Sequence, residues 1–342
     1  MKVEISPLSK ADEPDWDEYV RNNDQATFYH RIGWKEVIED SYGHRSFYLT
    51  AKNGDGKICG ILPLFFIRSI FFGKRVVSVP FAPYGGACTD SPGITTELVR
   101  AALSAGNEMG SADFEFRTRN CSTMEMDYTD HYVTFIMDVS GGAEPAWARM
   151  NKKVKWSVRK AIKNNLQFKI DKADAAIGDF YELYCHGMGR LGTPVHDRIF
   201  FKNLKKRFPE DVSIAEVEYA GNVISALYLL RFKDTLISGW GASLSSYFSL
   251  SPNDLIYWRS IETAAGDGLR YFDFGRSLKD SGNFRFKRAW GAAEVPLYYY
   301  HHPPKKAPRA IQDEYGSFSK IWGHLPLGLT RIVGPGLRKY IP

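Results

Sequence analysis

The sequence predicts a mixed α+β protein made of two tandem copies of one unit, each a central mixed sheet flanked by helices. Three observations carry this. The 342 residues exceed the roughly 100 to 200 of one domain. A hairpin pattern with a glycine turn occurs twice, about Asn53-Gly-Asp-Gly56 and about Gly221-Asn222, with Gly221 following Gly56 by 165 positions. A strand of alternating aromatic and acidic residues also occurs twice, as Asp113-Phe-Glu-Phe116 and Tyr271-Phe-Asp-Phe274, 158 positions apart. Repeats of a solenoid run about 20 to 50 residues, so offsets of this size mean two similar domains.

In chain order, Trp16-Asp-Glu-Tyr19 and Gly33 to Asp40 predict two short helices, the second because Trp34, Val37 and Ile38 recur at helical spacing. Residues 47–51 and 58–67 form the first hairpin, and a further turn falls at Phe72-Gly73. The loop Val79 to Ala87 follows, its two prolines and two glycines fixing an irregular backbone that can approach a ligand closely. Thr95 to Met109 reads as a helix leading into the strand 112–117. The second copy repeats the order with strands 210–219 and 223–230, a helix 255–265 and the strand at Tyr271. Between the copies, Met150 to Leu166 carries Val154, Val158, Ala161, Ile162 and Leu166 on one helical stripe. Lys152, Lys153, Lys155, Arg159, Lys160 and Lys163 occupy its other faces, either as a solvated surface or as a neutraliser of phosphates. The expected division is 1–148, 149–302 and a tail 303–342. Residues 303–320 read as a surface excursion, and 321–342 as a segment docked on the second domain or touching a membrane surface, with Pro and Gly opposing a long helix.

Composition narrows the function. Hydrophobic residues at 44% and charged residues at 25% describe an ordered globular chain. The first residues lack the apolar core of a signal peptide, and no apolar run approaches the roughly 18 residues of a membrane span, so a cytoplasmic location is expected. Cys59, Cys88, Cys121 and Cys185 stand apart without a Cys-x-x-Cys pair, and no His-x-x-x-His occurs, so neither a metal site nor a redox motif is indicated. Cys185 and His186 are sequence neighbours, which rarely gives a nucleophile its base. The net charge of +6 suggests affinity for phosphates or an anionic surface and permits RNA binding without implying it, and nothing points to DNA.

Chemistry concentrates in Tyr271 to Gly291, read as a buried strand, a polar loop and a second aromatic strand. Here Asp273, Arg276, Lys287 and Arg288 stand among Phe and Trp. Buried charges are costly unless they pair with one another or bind a polar ligand, and both readings apply. The turn Gly192-Thr193-Pro194 presents Thr193 and His196, a residue able to relay a proton near neutral pH. Ser251, Asn253 and Asp254 begin a helix whose free amides suit a phosphate.

These pieces together resemble a family. The duplication, the Tyr84-Gly85-Gly86 loop, the basic helix, the Leu-Gly-Thr-Pro turn and the block from Phe272-Asp-Phe-Gly-Arg276 through Phe286-Lys287 to Trp290-Gly291 are similar to FemAB-type tandem acyltransferases of the GNAT superfamily. The turn and the Leu325-Pro326 and Gly334-Pro335 tail look most like the branch associated with exosortase/PEP-CTERM exopolysaccharide systems. The resemblance implies direct transfer of an acyl group from acyl-CoA or aminoacyl-tRNA, as co-substrate and without a tightly bound cofactor, to an amine-bearing sugar or lipid-linked envelope precursor. It gives Lys287 oxyanion or phosphate stabilisation, Asp273 or His196 the proton, and Arg276 an anionic group. Tyr84, Gly85 and Gly86 would line the acceptor cleft of the first domain, Thr193 and Trp290 would bind substrate, and Ser251, Asn253 and Asp254 would hold the phosphates of the co-substrate. The chain lacks the Arg/Gln-x-x-Gly-x-Gly/Ala pyrophosphate loop, with Ser249 to Asn253 in its place, and also lacks a long coiled-coil insertion. A non-catalytic scaffold binding a glycan or membrane machinery is the alternative.

Overall fold

In the computed structural model, residues 3–69, 73–121, 124, 126–304 and 322–341 are described. The tip of the hairpin expected at Phe72 and most of the excursion expected at 303–320 lie outside them. The chain runs β1 (Glu4–Pro7), α1 (Glu13–Asn22), α2 (Ile32–Tyr42), β2 (Arg45–Ser46), β3 (Leu49–Lys52), β4 (Ile58–Leu62), β5 (Phe65–Ser69), β6 (Gly73–Val77), β7 (Cys88–Thr89), α3 (Pro92–Glu108) and β8 (Asp113–Thr118). It continues with β9 (Tyr128–Asp138), α4 (Ala143–Arg149), α5 (Lys152–Lys163), β10 (Gln167–Asp171), α6 (Asp174–Arg190), α7 (Arg198–Arg207), β11 (Val212–Tyr219), β12 (Asn222–Phe232) and β13 (Thr235–Ser243). Then follow α8 (Pro252–Gly266), β14 (Tyr271–Asp273), β15 (Ser277–Leu278), α9 (Gly282–Arg288), β16 (Ala293–His302) and α10 (Leu327–Arg338).

Two compact units result. Among the described residues, the first comprises 3–131, 296–304 and 339–341, and the second 132–295 and 322–338. The division expected after 148 and 302 differs by a pair of strands. β9 follows β8 in the chain but pairs with β14, and β16 follows α9 but pairs with β8. Local pattern does not report such an exchange, because either partner edge accepts an apolar strand.

The duplication is visible in strand pairing. In the first unit β1, β3, β4 and β7 form one antiparallel sheet, and β16, β8, β6, β5 and β2 follow one another in a second. In the second unit the order is β10, β11, β12, β13, β14, β9. Each unit has one parallel pair joined by a helix: β6 and β8 through α3, β13 and β14 through α8. A parallel connection needs such a crossover, which is why a helix precedes each acidic-aromatic strand. The repeated strands match in register, since Glu115 faces Val77 and Asp273 faces Ile237.

Each unit closes its own core. Leu98, Val99 and Ala102 of α3 pack with Phe114 and Phe116 in the first. In the second, Val154, Val158 and Ala161 of α5 join Leu255, Ile261 and Phe272. Asn151 caps α5 by accepting from the Lys153 amide at 2.9 Å. Ile162, expected on the buried stripe, is 45% exposed, so that stripe is narrower than its sequence implies.

The segment expected as a second aromatic strand near Phe286 is instead the helix α9. Ser281 accepts from the Phe284 amide at 3.1 Å, supplying the cap, and Phe284 and Lys287 fall three apart on its buried side. The short aromatic run resembles a strand only while its cap is overlooked.

Candidate active site

The second unit's parallel pair is short. Pairing runs from Thr235 opposite Tyr271 to Ile237 opposite Asp273 and ends there. Beyond it β13 continues with a bulge, because Leu229 faces Ser238 while Tyr228 faces Trp240, leaving Gly239 as the extra residue. The segment after β14 turns away at Gly275, whose φ is 73°. A Cβ at Gly275 would sit 2.7 Å from the Ser238 carbonyl oxygen, so glycine alone fits both the conformation and the approach.

Asp273 and Lys287 both hold this turn. Asp273 Oδ1 accepts from the Gly275 amide at 2.8 Å and from the Thr134 hydroxyl. The Lys287 ammonium donates to the carbonyls of Gly275 at 2.9 Å and Arg276 at 3.1 Å. Burial pulls the Lys287 ammonium down to about 8; the Asp273 charge opposes that pull and Arg276 adds to it. An ammonium has three donors, so one N–H remains beyond the two carbonyls.

The separated strands bound a cavity of about 390 Å³. Its walls are β13 from Ser238, the turn Phe274 to Arg276, α9, the first turns of α8 and the end of α6. Its charged lining residues are Arg190, Arg276 and Lys287, and among the described residues no carboxylate joins them. Such a lining is complementary to an anion. Arg276 lies 4.7 Å over the Tyr132 ring and Arg190 5.4 Å over the Phe248 ring, which orients both guanidinium groups. Tyr257 also lines the cavity, and its oxygen accepts from the Ser238 hydroxyl at 3.3 Å. Burial pushes its own ionisation up, so it stays a neutral hydroxyl able to donate.

A model described as an acetyltransferase (GNAT) domain matches residues 148–288, the segment that contains all of these walls. The chain is an acyltransferase, and its solved neighbours share the fold across both units. FemX is 13% identical with a TM-score of 0.66, covering 92% of this chain and 100% of its own. A C-terminal domain of a putative lysylphosphatidylglycerol synthetase from Agrobacterium fabrum is 10% identical at 0.57, covering 91% and 94%. A tandem GNAT protein from the clavulanic acid pathway is 9% identical at 0.55, covering 89% and 100%. No curated protein matches the chain in sequence.

Around this cavity, the expected residues separate into two groups. Arg276, Lys287 and Asn253 line the cavity, and Asp273 braces its turn without lining it. Ser251 and Asp254 are not among the lining residues. Ser251 takes the left-handed conformation at the start of α8, with no side-chain cap, and burial pushes the Asp254 carboxyl up to about 6. The anion-binding start expected for α8 is therefore reduced to Asn253, which accepts from the Ser243 hydroxyl.

His196 is fully buried, stacked on Phe200 at 4.6 Å, with Arg338 Nε donating to its Nε2 at 3.2 Å. Burial, reinforced by Arg338, holds it well below the usual histidine range. It is part of an aromatic core and not of the cavity wall. Thr193 bonds back to the Leu191 carbonyl, while Arg190 and Leu191 just before it reach the cavity. Trp290 is a core residue between Tyr257, Phe274 and Phe286. Cys185 is buried, which pushes its thiol up and leaves it unreactive.

Tyr84, Gly85 and Gly86 belong to the first unit, where their loop is tied down by packing. Tyr84 meets the Tyr29 ring at 5.7 Å, and the Gly85 amide donates to the Arg117 carbonyl at 3.0 Å. The Thr27 amide donates to His30 Nδ1, so His30 carries its proton on Nε2 and donates it to the Gly86 carbonyl at 2.9 Å. Sequence reading missed Arg190, Ser238 and Tyr257. Tyr257 alone had a signal, standing one helical turn after Asn253.

Proposed function

We propose that the protein moves an activated acyl or aminoacyl group directly onto an amine of a cell-envelope or exopolysaccharide precursor. The observation that carries the reading is the acid-free cavity with three cations where β13 and β14 part. Both candidate donors, acyl-CoA and aminoacyl-tRNA, present phosphates, for which Arg190 and Arg276 are suited as forked donors. The acceptor amine attacks the donor carbonyl, a C–N bond forms, and the C–S bond of a thioester or the C–O bond of an ester breaks. The proton lost by the amine ends on the leaving group. Negative charge on the carbonyl oxygen in between is stabilised by the remaining Lys287 N–H and the Tyr257 hydroxyl. Asp273 is assigned positioning, because its Oδ1 is committed to the Gly275 turn and Thr134.

The acceptor is read from the resemblance to the exosortase-associated branch and from a lysylphosphatidylglycerol synthetase neighbour, whose name joins an aminoacyl group to a phospholipid. An amine-bearing sugar or lipid-linked precursor at the inner face of the cell membrane fits both. The test is transfer from labelled acyl-CoA and from charged tRNA to amino sugars, followed by mass spectrometry, with wild type and Lys287→Ala. Donor binding without product from any acceptor, alike in both proteins, overturns the reading in favour of a scaffold.

A further inference from the structure

Phe248 lines the second unit's cavity and is still 40% exposed, which puts it at the mouth. It belongs to the helical turn Ser245–Leu250 that joins β13 to α8. Its neighbours Tyr247 and Leu250 pack against the core of the unit, so the turn is anchored through them and the Phe248 ring is left in the opening. The Arg190 guanidinium lies 5.4 Å over this ring, and the exposure remains with the guanidinium in place. Leu191, 55% exposed, lines the same cavity. One exposed apolar residue on a surface needs no explanation. Two that wall a cavity whose charged lining residues are all cations bring apolar and anionic recognition together.

That combination selects the ligand. Inorganic phosphate would use the cations and leave Phe248 and Leu191 in water. A phosphate on an aliphatic chain would cover them but gain nothing from a flat ring. A nucleotide uses both features: its phosphates suit the cations, and its base is a flat face that stacks on an aromatic ring. A guanidinium stacked on a ring still donates in its own plane, so Arg190 can hold a phosphate at its edge while its face stays on Phe248. Asn253 and Asn283 add side-chain amides to the lining, groups that carry the donor and acceptor pattern of a base edge. Asn253 Oδ1 accepts from the Ser243 hydroxyl, which leaves its NH2 to donate.

We propose that Phe248 is the stacking platform for the base of a nucleoside phosphate whose phosphates enter the cavity. This rests on the proposed acyl transfer, since both candidate donors, acyl-CoA and aminoacyl-tRNA, carry an adenosine phosphate, but its test needs no turnover. Binding of adenosine monophosphate and of ribose phosphate to the full chain is compared by titration calorimetry. The nucleotide is expected to bind about tenfold or more tightly, the usual contribution of one stacked base. Phe248→Leu should remove that advantage and leave ribose phosphate binding unchanged. Phe248→Tyr should retain it, and circular dichroism should show both variants folded. Coenzyme A and a short RNA ending in adenosine are two further arms: the one that binds more tightly than the mononucleotide and is weakened by Phe248→Leu is the source of the base. Absent nucleotide binding, equal binding of nucleotide and ribose phosphate, or an advantage that survives Phe248→Leu overturns the proposal. A base advantage that depends on Phe248 in a chain that transfers nothing overturns the acyltransfer reading alone.

Discussion

Glu115 and Asp273 occupy the same position in two copies of one strand, and Asp273 braces a turn that lines a cavity. Glu115 is sealed by Arg117 at 2.7 Å and Arg75 at 3.6 Å within the first unit. Burial pushes its carboxyl up, but Arg117 and Arg75 outweigh burial and hold it well below the usual range. Asp273 faces a glycine turn instead, and its cationic counterpart Lys287 comes from a separate helix that also lines the cavity. One copy keeps the acid for structure and the other uses it to poise a lysine.

Glu115→Gln is expected to lower unfolding free energy by about 3 to 5 kcal/mol, the usual result of leaving a buried cation without its partner. Urea titration at pH 7 checks this. A loss below about 1 kcal/mol would show that Arg117 re-pairs or reaches water.

Asp273→Asn keeps an oxygen acceptor for the turn but removes the charge that props up the Lys287 ammonium. The alkaline limb of the rate profile, set by loss of the Lys287 proton near 8, should move to lower pH. An unchanged limb with a lower plateau would mean that Asp273 acts on the reaction some other way.

Lys287 should make activity and stability respond oppositely to pH. Its folded value of about 8 lies below the ordinary 10.5, so the unfolded chain binds the proton more tightly. Between these values stability should rise with pH by about 1.4 kcal/mol per unit for this group, while activity falls. Subtracting the same curve for Lys287→Met isolates the contribution. A flat difference between pH 8 and 10 would show that Lys287 is ordinary in the folded state.

Gly275→Ala places a methyl 2.7 Å from the Ser238 oxygen at a φ of 73°, and should cost about 1 to 3 kcal/mol while narrowing the cavity. Thermal unfolding and turnover should therefore fall together. Full stability with full turnover would mean the turn moves freely.

Arg190→Ala and Arg276→Ala should each raise KM for an anionic donor about tenfold, as expected for one charge-assisted hydrogen bond, with a smaller effect on kcat. Loss of kcat at unchanged KM would move either arginine from binding to the reaction itself.

Much of the fold was legible because its signals are local. The glycine at 221 repeats the one at 56, and the crossover helices and acidic-aromatic strands keep nearly the same offset. Lys287 and Arg276 were legible because charges among Phe and Trp need partners. The rest depended on position in space. His196 looks like a proton carrier in a Pro-Val-His turn, yet Phe200, Tyr184 and Trp240 surround it. Arg190 looks like the basic end of a helix, and only the course of β13 makes it a wall. The bulge at Gly239 is a property of two strands together and has no one-residue signature.

The strand exchange has a consequence for how the chain comes off the ribosome. β8 ends at Thr118, but β16, which covers its edge, begins at Ala293. At about 5 to 20 residues per second, that edge waits roughly 10 to 35 seconds for its partner. During this interval the nascent first half offers unpaired backbone to any passing strand. A chain released early by truncation would keep that exposure permanently, so half-length products should be cleared or aggregate and should not accumulate as a free first domain.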